Sequence, residues 1–72
     1  MTNESLNTLK NKIANSGYKV AYIADQMEIS RPALLNRLNG RYSFRVTEAN
    51  VLRNLLRLSD EETLQIFFDR KG

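Results

Sequence analysis

The chain has 72 residues and a net charge of +3, and it contains neither cysteine nor histidine. Without these residue types it has no disulfide, no thiolate or imidazole metal site and no histidine general base, so we expect no cofactor and no enzyme. No apolar run reaches the ~20 residues that cross a bilayer and no signal peptide opens the chain, which predicts one cytoplasmic domain, residues 1–72, without membrane contact.

The first predicted helix covers about residues 4–16. Asn3 can accept a hydrogen bond from the first free N–H groups, and Glu4 suits the positive end of the helix dipole. Gly17 is expected to end the helix, because glycine adopts the left-handed conformation without strain. The apolar stripe, spaced at three and four residues, consists of Leu6, Leu9 and Ile13.

The second predicted helix is short and covers about residues 20–27. Lys19 precedes it, at a position where a cation opposes the helix dipole by about 0.3–1 kcal/mol. A phosphate bound at the free N–H groups would account for this lysine, and a solvated surface side chain is the alternative. The apolar face of the helix consists of Val20, Ile23, Ala24 and Met27.

The third predicted helix covers about residues 31–39 and ends at Asn39-Gly40. Ser30 can cap its first N–H groups, and Pro32 fits the first turn, where no N–H donor is needed. The inner side is expected to hold Leu34, Leu35 and Leu38, and the outer side Arg31, Pro32, Ala33, Asn36 and Arg37.

The two helices and the turn between them, residues 20–40, resemble the helix-turn-helix of phage repressors and Cro-type regulators. The resemblance implies that the small side chain of Ala24 lets the helices cross closely and that Ile29 and Leu34 pin the crossing. Glu28 departs from the pattern, since the family usually has glycine there and a positive φ would strain a glutamate by roughly 1 kcal/mol. The matching residues are Ala24, Ile29, Ser30, Leu34, Leu38, Asn39 and Gly40.

The segment 41–46, RYSFRV, alternates charged with aromatic or aliphatic residues. It is too short for an independent strand, and we expect a packed loop in which Arg41 and Arg45 stay outside. Stacking of its aromatic rings on nucleic-acid bases is the alternative. The residues expected to enter the core are Tyr42, Phe44 and Val46.

The fourth predicted helix covers about residues 48–57. Thr47 can cap it, and Glu48 in the first turn suits the helix dipole. Arg53 and Arg57 lie four residues apart, which predicts one basic face. The stripe expected to form the wall beneath the helix-turn-helix consists of Val51, Leu52, Leu55 and Leu58.

The fifth predicted helix runs from the capping box of Ser59 and Glu62 to about residue 69. The acidic cluster at its start, Asp60, Glu61 and Glu62, is explained by the helix dipole rather than by a catalytic site. The family resemblance adds a second interpretation, in which this last helix forms a dimer contact. Core packing is expected for Leu64, Phe67 and Phe68, with Ile66 off that stripe.

The predicted fold is all-α: a compact bundle of five short helices whose second and third form the helix-turn-helix, as in the lambda-repressor-like DNA-binding domains that the chain resembles. The charge distribution agrees with nucleic-acid binding, because residues 31–57 carry six arginines against one glutamate. Arginines that serve only as helix formers on a solvated face would give the same pattern.

The first functional hypothesis is a small phage-type transcriptional regulator that binds a double-stranded DNA operator in the lysis/lysogeny switch of a bacterial host. Arg31 could bond a guanine edge and Asn36 an adenine edge, because these side chains make bidentate contacts with those bases. A symmetric operator would require a homodimer. No small-molecule ligand is expected. Arg37 and Arg41 are expected to contact phosphate, and a capping role is favoured for Ser30 and Asn39. The rest of the expected binding set is Lys19, Ser30, Pro32, Ala33, Arg37, Asn39 and Arg41.

The second hypothesis is a modulator or antirepressor that binds a partner CI-type repressor and masks its DNA-binding surface. The chain is similar in size and layout to modulator-of-repression proteins of temperate Gram-positive phages. Pro32 and Ala33 offer only apolar contacts on the third helix, which favours a protein partner. The arginine-rich middle of the chain favours DNA, and the outer side of the third helix is the binding surface in both hypotheses.

Overall fold

The computed structural model describes residues 3–68, and these fold into five α-helices with no β-strand among them. The all-helical prediction is thereby confirmed. Within the same residues, no helix combines the length and the apolar character that a transmembrane segment requires. The helices are α1 (Asn3–Ser16), α2 (Val20–Gln26), α3 (Arg31–Leu38), α4 (Val46–Leu56) and α5 (Asp60–Phe67).

All five helices meet in one apolar core. Each helix contributes one side chain with at most 1% of its surface exposed, and each such burial stabilises the fold by about 1.5–3 kcal/mol. Helices of seven to fourteen residues are marginal in isolation. Their stability therefore comes from this shared core, whose central residues are Leu9, Ile23, Leu34, Leu52 and Ile66.

Two glycines end helices in the left-handed conformation, as the sequence predicts. Gly17 follows α1 and Gly40 follows the last turn of α3, and both have a φ of +82°. Gly40 also lies against α1, because a Cβ atom at this position would stand 3.2 Å from a methyl group of Leu6. Any other residue at Gly40 would be strained in its backbone and would crowd the core.

The turn between α2 and α3 is tight and is closed by main-chain hydrogen bonds. Glu28 adopts a φ of +59°, so this glutamate has the strained left-handed conformation that glycine usually adopts. The N–H of Ile29 donates to the carbonyl of Ala24 over 3.0 Å, which closes the turn onto α2. Ala24 is 2% exposed, and α2 packs directly against α3. The small side chain thus belongs to the buried core.

The segment before α4 differs from the prediction. Of the three side chains expected in the core, only Phe44 is half-buried, and its ring meets Phe67 edge to face at a centroid distance of 5.6 Å. Tyr42 and Val46 are 63% and 67% exposed, so their predicted burial is wrong. The reason is that α4 begins at Val46 itself, which places this side chain on the outside of the first turn.

The N-terminus of α4 is capped by a residue inside the helix. Thr47, the predicted cap, lies within the first turn, and Arg45 occupies the N-cap position. The guanidinium group of Arg45 has no acceptor, so it cannot cap the helix with its side chain. Instead the carboxylate of Glu48 accepts the backbone N–H of Arg45 over 3.0 Å.

The face that α5 buries is also different from the predicted one. Ile66 is 1% exposed, whereas Leu64 and Phe68 are 42% and 53% exposed. Glu62 lies one turn before Ile66 and pairs with Lys12 of α1, so this side of α5 faces α1. With ~100° between successive residues, a helix that buries Ile66 must turn Leu64 outward. The end of the predicted helix, at residue 69, lies outside the described residues.

Candidate macromolecule-binding surface

One side of α3 faces the core and the other faces solvent. Leu34 and Leu38, one turn apart, are buried at 0% and 5% exposure. Five residues of α3 and its C-cap, here called the outer surface of α3, carry a mixture of one cation, small polar groups and apolar groups. They are Arg31, Pro32, Leu35, Asn36 and Asn39, of which Leu35 and Asn36 are half-buried and the others exposed. Leu35 was expected on the inner side with Leu34 and Leu38, but it is only half-buried.

Arg31 is the available cation of this surface. It is the first residue of α3, it is exposed, and its side chain makes no hydrogen bond or ion pair within residues 3–68. Its five N–H donors are therefore open to a ligand. The position agrees with the prediction that Arg31 points outward from the start of the helix.

Arg37 is held by its own chain. It was expected on the outer side of α3, as a phosphate contact, and this placement is wrong. The Nε atom donates to Glu48 over 2.8 Å, and a terminal nitrogen donates to the carbonyl of Ala33 over 3.1 Å. Only 14% of the Arg37 side chain is exposed. Its charge is thus compensated internally before any ligand arrives.

Glu48 connects three parts of the molecule through one carboxylate oxygen. This oxygen accepts both the Nε–H of Arg37 on α3 and the backbone N–H of Arg45 before α4. Its side chain is 6% exposed, and it also lies at the positive end of the α4 dipole. From the sequence only the dipole role could be predicted, although a single glutamate among six arginines in residues 31–57 was a signal of pairing.

Ser30, Ala33 and Asn39 serve mainly to shape α3. The hydroxyl of Ser30 accepts the N–H of Ala33 over 3.2 Å, which confirms its predicted capping role. Asn39 is the C-cap residue, and its N–H donates to the carbonyl of Leu35 over 2.9 Å. Ala33 is half-buried and binds Arg37 through its carbonyl.

Lys19 stands at the start of α2 and not on α3. It is exposed, and the N-terminus of α2 has no side-chain cap. Beside it, the exposed rings of Tyr18 and Tyr22 stack at a centroid distance of 5.2 Å. The exposed lysine is consistent with both alternatives, a phosphate contact and a solvated side chain.

The loop after α3 extends the exposed surface. The N–H of Arg41 donates to the carbonyl of Asn36 over 2.9 Å, which fixes the backbone close to the end of α3. The side chains of Arg41, Tyr42 and Arg45 are all exposed. Because the sequence predicted a buried Tyr42, this apolar addition to the surface was missed.

Internal pairing divides the arginines of the central stretch into two groups. Arg37 pairs with Glu48, and Arg53 pairs with Asp60. The other four make no ion pair within residues 3–68, so the central stretch keeps most of its positive charge for a ligand. These four are Arg31, Arg41, Arg45 and Arg57.

Comparisons with protein-family models, with curated proteins and with solved structures find no match for this chain. The resemblance to phage repressors therefore depends on the motif in residues 20–40 alone.

Proposed function

We propose that the chain is a helix-turn-helix regulator of a phage-type genetic switch, and that it binds operator DNA through the outer surface of α3. The proposal is supported by the short α2 and α3, by the closed turn at Glu28 and by the buried Ala24. The observation that carries it is Arg31, an exposed arginine without an internal partner at the outward start of α3.

In this proposal Arg31 bonds a guanine edge, since arginine can make two parallel hydrogen bonds there. Asn36 is half-buried and would contact an adenine edge with the part of its amide that remains accessible. Arg41 and Lys19 would bind phosphate, and these contacts would supply most of the affinity. Arg37 has no assigned contact, because Glu48 already compensates its charge.

Titration with a fluorescently labelled random DNA duplex at two salt concentrations tests the proposal. A protein that contacts several phosphates binds random DNA weakly, and its affinity falls steeply with salt. We expect measurable binding at micromolar protein near 50 mM salt and a large loss near about 200 mM. Absence of binding at both concentrations would contradict the proposal.

Replacing Arg31 is the sharpest variant for the binding surface. Arg31→Ala is expected to weaken DNA binding without lowering the thermal melting temperature, because the exposed side chain makes no hydrogen bond or ion pair within residues 3–68. Lys10→Ala is a matched control, since Lys10 is an exposed cation on α1. Equal effects of both variants on DNA binding would show that only net charge matters, and a loss of structure in Arg31→Ala would contradict its placement.

A second function is favoured by the apolar part of the surface. Tyr42 and Val46 are among the most exposed large hydrophobic residues, and Pro32 is exposed on α3. Exposed apolar groups beside arginines are typical of protein–protein contacts. In this alternative the chain is a modulator or antirepressor that binds a CI-type repressor and masks its DNA-binding surface.

Two substitutions distinguish the two functions. Tyr42→Ala and Val46→Ser remove apolar contact area and leave the cations in place. If the ligand is DNA, they should change the affinity for a duplex little, because phosphate contacts dominate it. If the ligand is a repressor encoded beside this chain, they should weaken that complex about tenfold or more in a titration calorimeter.

A further inference from the structure

Glu48 controls how much positive charge α3 presents. Its carboxylate holds Arg37 at 2.8 Å, and the second Arg37 bond, to the carbonyl of Ala33, directs the guanidinium back along α3. The acid is itself fixed by the N–H of Arg45 at 3.0 Å. Arg37 therefore cannot reach a ligand without breaking two hydrogen bonds and leaving a nearly buried carboxylate without its cation.

This pairing leaves the middle of the outer surface of α3 without net charge. Arg31 stands at the start of the helix and Arg41 lies beyond its end, and both are exposed. Between them the outer surface carries only uncharged groups: Pro32, Leu35, Asn36 and Asn39. A phosphate or carboxylate at the middle of α3 would meet no opposite charge, so a ligand is favoured there only if it presents uncharged groups.

We propose that Glu48 is a specificity-determining residue, which keeps Arg37 from contributing to non-specific binding of phosphate. The inference depends on the proposed function, because it takes the outer surface of α3 as the binding surface. It adds that the ligand presents a base edge or an uncharged protein group to the middle of α3. It also predicts that loss of an acid at this position increases binding to random DNA.

Glu48→Gln is the decisive variant. Glutamine keeps an oxygen that can accept the N–H of Arg45, so the cap of α4 is preserved, but it no longer neutralises Arg37. Arg37 then keeps only neutral acceptors, the glutamine oxygen and the carbonyl of Ala33, and a phosphate can compete with them for the guanidinium. We expect tighter binding to a random duplex near 50 mM salt, and an affinity ratio between about 50 and 200 mM salt that grows about threefold, as expected for one added phosphate contact.

The chain offers a matched control in Glu62→Gln. Glu62 is also the third residue of a helix, it also accepts the N–H of its N-cap residue, and it also pairs with a cation of another helix. Both substitutions raise the net charge by one. Glu62→Gln releases Lys12 on α1, far along the chain from α3, and we expect its binding to random DNA to stay within about twofold of the wild type.

Two further variants test the role of Arg37 itself. Arg37→Met should bind random DNA as the wild type does, because the arginine is already engaged internally. The double variant Arg37→Met/Glu48→Gln should lose the gain seen in Glu48→Gln, since no cation is released. Circular dichroism checks the folding of each variant, and Arg37→Met still tests the inference if Glu48→Gln does not fold.

Three results would overturn the inference. The first is equal behaviour of Glu48→Gln and the wild type, including binding too weak to measure in both. The second is an equal gain in Glu62→Gln, which would mean that net charge alone is responsible. The third is a clear loss of DNA binding in Arg37→Met. If the wild-type protein shows no salt-sensitive DNA binding, the proposed DNA function is contradicted. In that case a gain of DNA binding in Glu48→Gln would still support the inference about Glu48.

Discussion

The N-termini of α4 and α5 have the same arrangement of hydrogen bonds, but its role differs between the two helices. At α4 and at α5 a glutamate in the first turn accepts the N–H of the N-cap residue over 3.0 Å and pairs with a cation from another helix. In α4 the pair of Glu48 and Arg37 has side chains only 6% and 14% exposed. In α5 the pair of Glu62 and Lys12 has side chains 35% and 42% exposed.

The comparison shows that burial, and not the motif, decides the role of the pair. The α5 pair is in contact with water, which screens it, and Ser59 adds a second capping bond of 3.0 Å to the N–H of Glu62. The α4 pair has little contact with water and no equivalent serine, since Arg45 occupies the N-cap position. Glu48 is therefore the acceptor for both Arg37 and the N–H of Arg45, whereas at α5 Ser59 supplies part of the capping.

The largest expected difference is in stability. Glu48→Ala should lower the free energy of unfolding by about 3 kcal/mol, because it leaves the nearly buried Arg37 without its counter-charge. Glu62→Ala should cost clearly less. Urea unfolding at neutral pH measures both values. Equal losses would show that the burial of the α4 pair is not what sets its importance.

A double substitution sharpens the comparison. Arg37→Met/Glu48→Leu replaces the buried ion pair by apolar groups of similar size, and such replacements are often neutral or stabilising. We expect a loss smaller than that of Glu48→Ala, of about 1 kcal/mol from the missing cap of α4. A loss larger than that of the single variant, measured by the same urea unfolding, would contradict the pairing.

The smallest expected effect is a pH dependence of the stability, caused by Glu62 of α5. The hydrogen bond from Lys12, the N–H of Ser59 and its hydroxyl lower the pKa of Glu62 from 4.5 to about 2. Because the folded-state pKa is the lower one, the stabilisation is complete above about pH 4.5 and is lost as the pH falls towards 2.

Melting temperatures between pH 2 and pH 5 measure this contribution. We expect the wild type to lose more stability than Glu62→Gln as the pH falls through that range, because glutamine cannot be protonated there. Parallel curves for the two proteins would show that Glu62 contributes nothing to the acid sensitivity.

Several helix ends could be predicted from the sequence because their causes are local. Ser30 and Ser59 bond N–H groups three residues ahead, and Gly17 adopts a φ of +82° directly after α1. Most core residues of the first three helices follow from spacing for the same reason, although Leu35, expected on the inner side, is only half-buried. Arg31 is exposed at the first residue of α3.

The start of α4 was misplaced locally, and the other main errors lie where distant residues decide. The contact of Phe44 with Phe67 joins parts of the chain that no local pattern connects, and it leaves Tyr42 outside. α5 has apolar residues on two sides, and only packing against α1 selects Ile66 for the core. The pairing of Arg37 with Glu48 spans eleven residues and depends on the path of the loop between them.

The central claim is that α3 presents Arg31 to the proposed ligand, whereas Arg37 is held by its own chain. The ¹H–¹⁵N signals of the arginine Nε groups, followed during titration with duplex DNA, test it most directly. We predict that the Arg37 signal is protected from solvent exchange and stays unchanged, while the Arg31 signal exchanges rapidly and shifts as DNA is added. A shift of Arg37 with an unchanged Arg31 would contradict the claim.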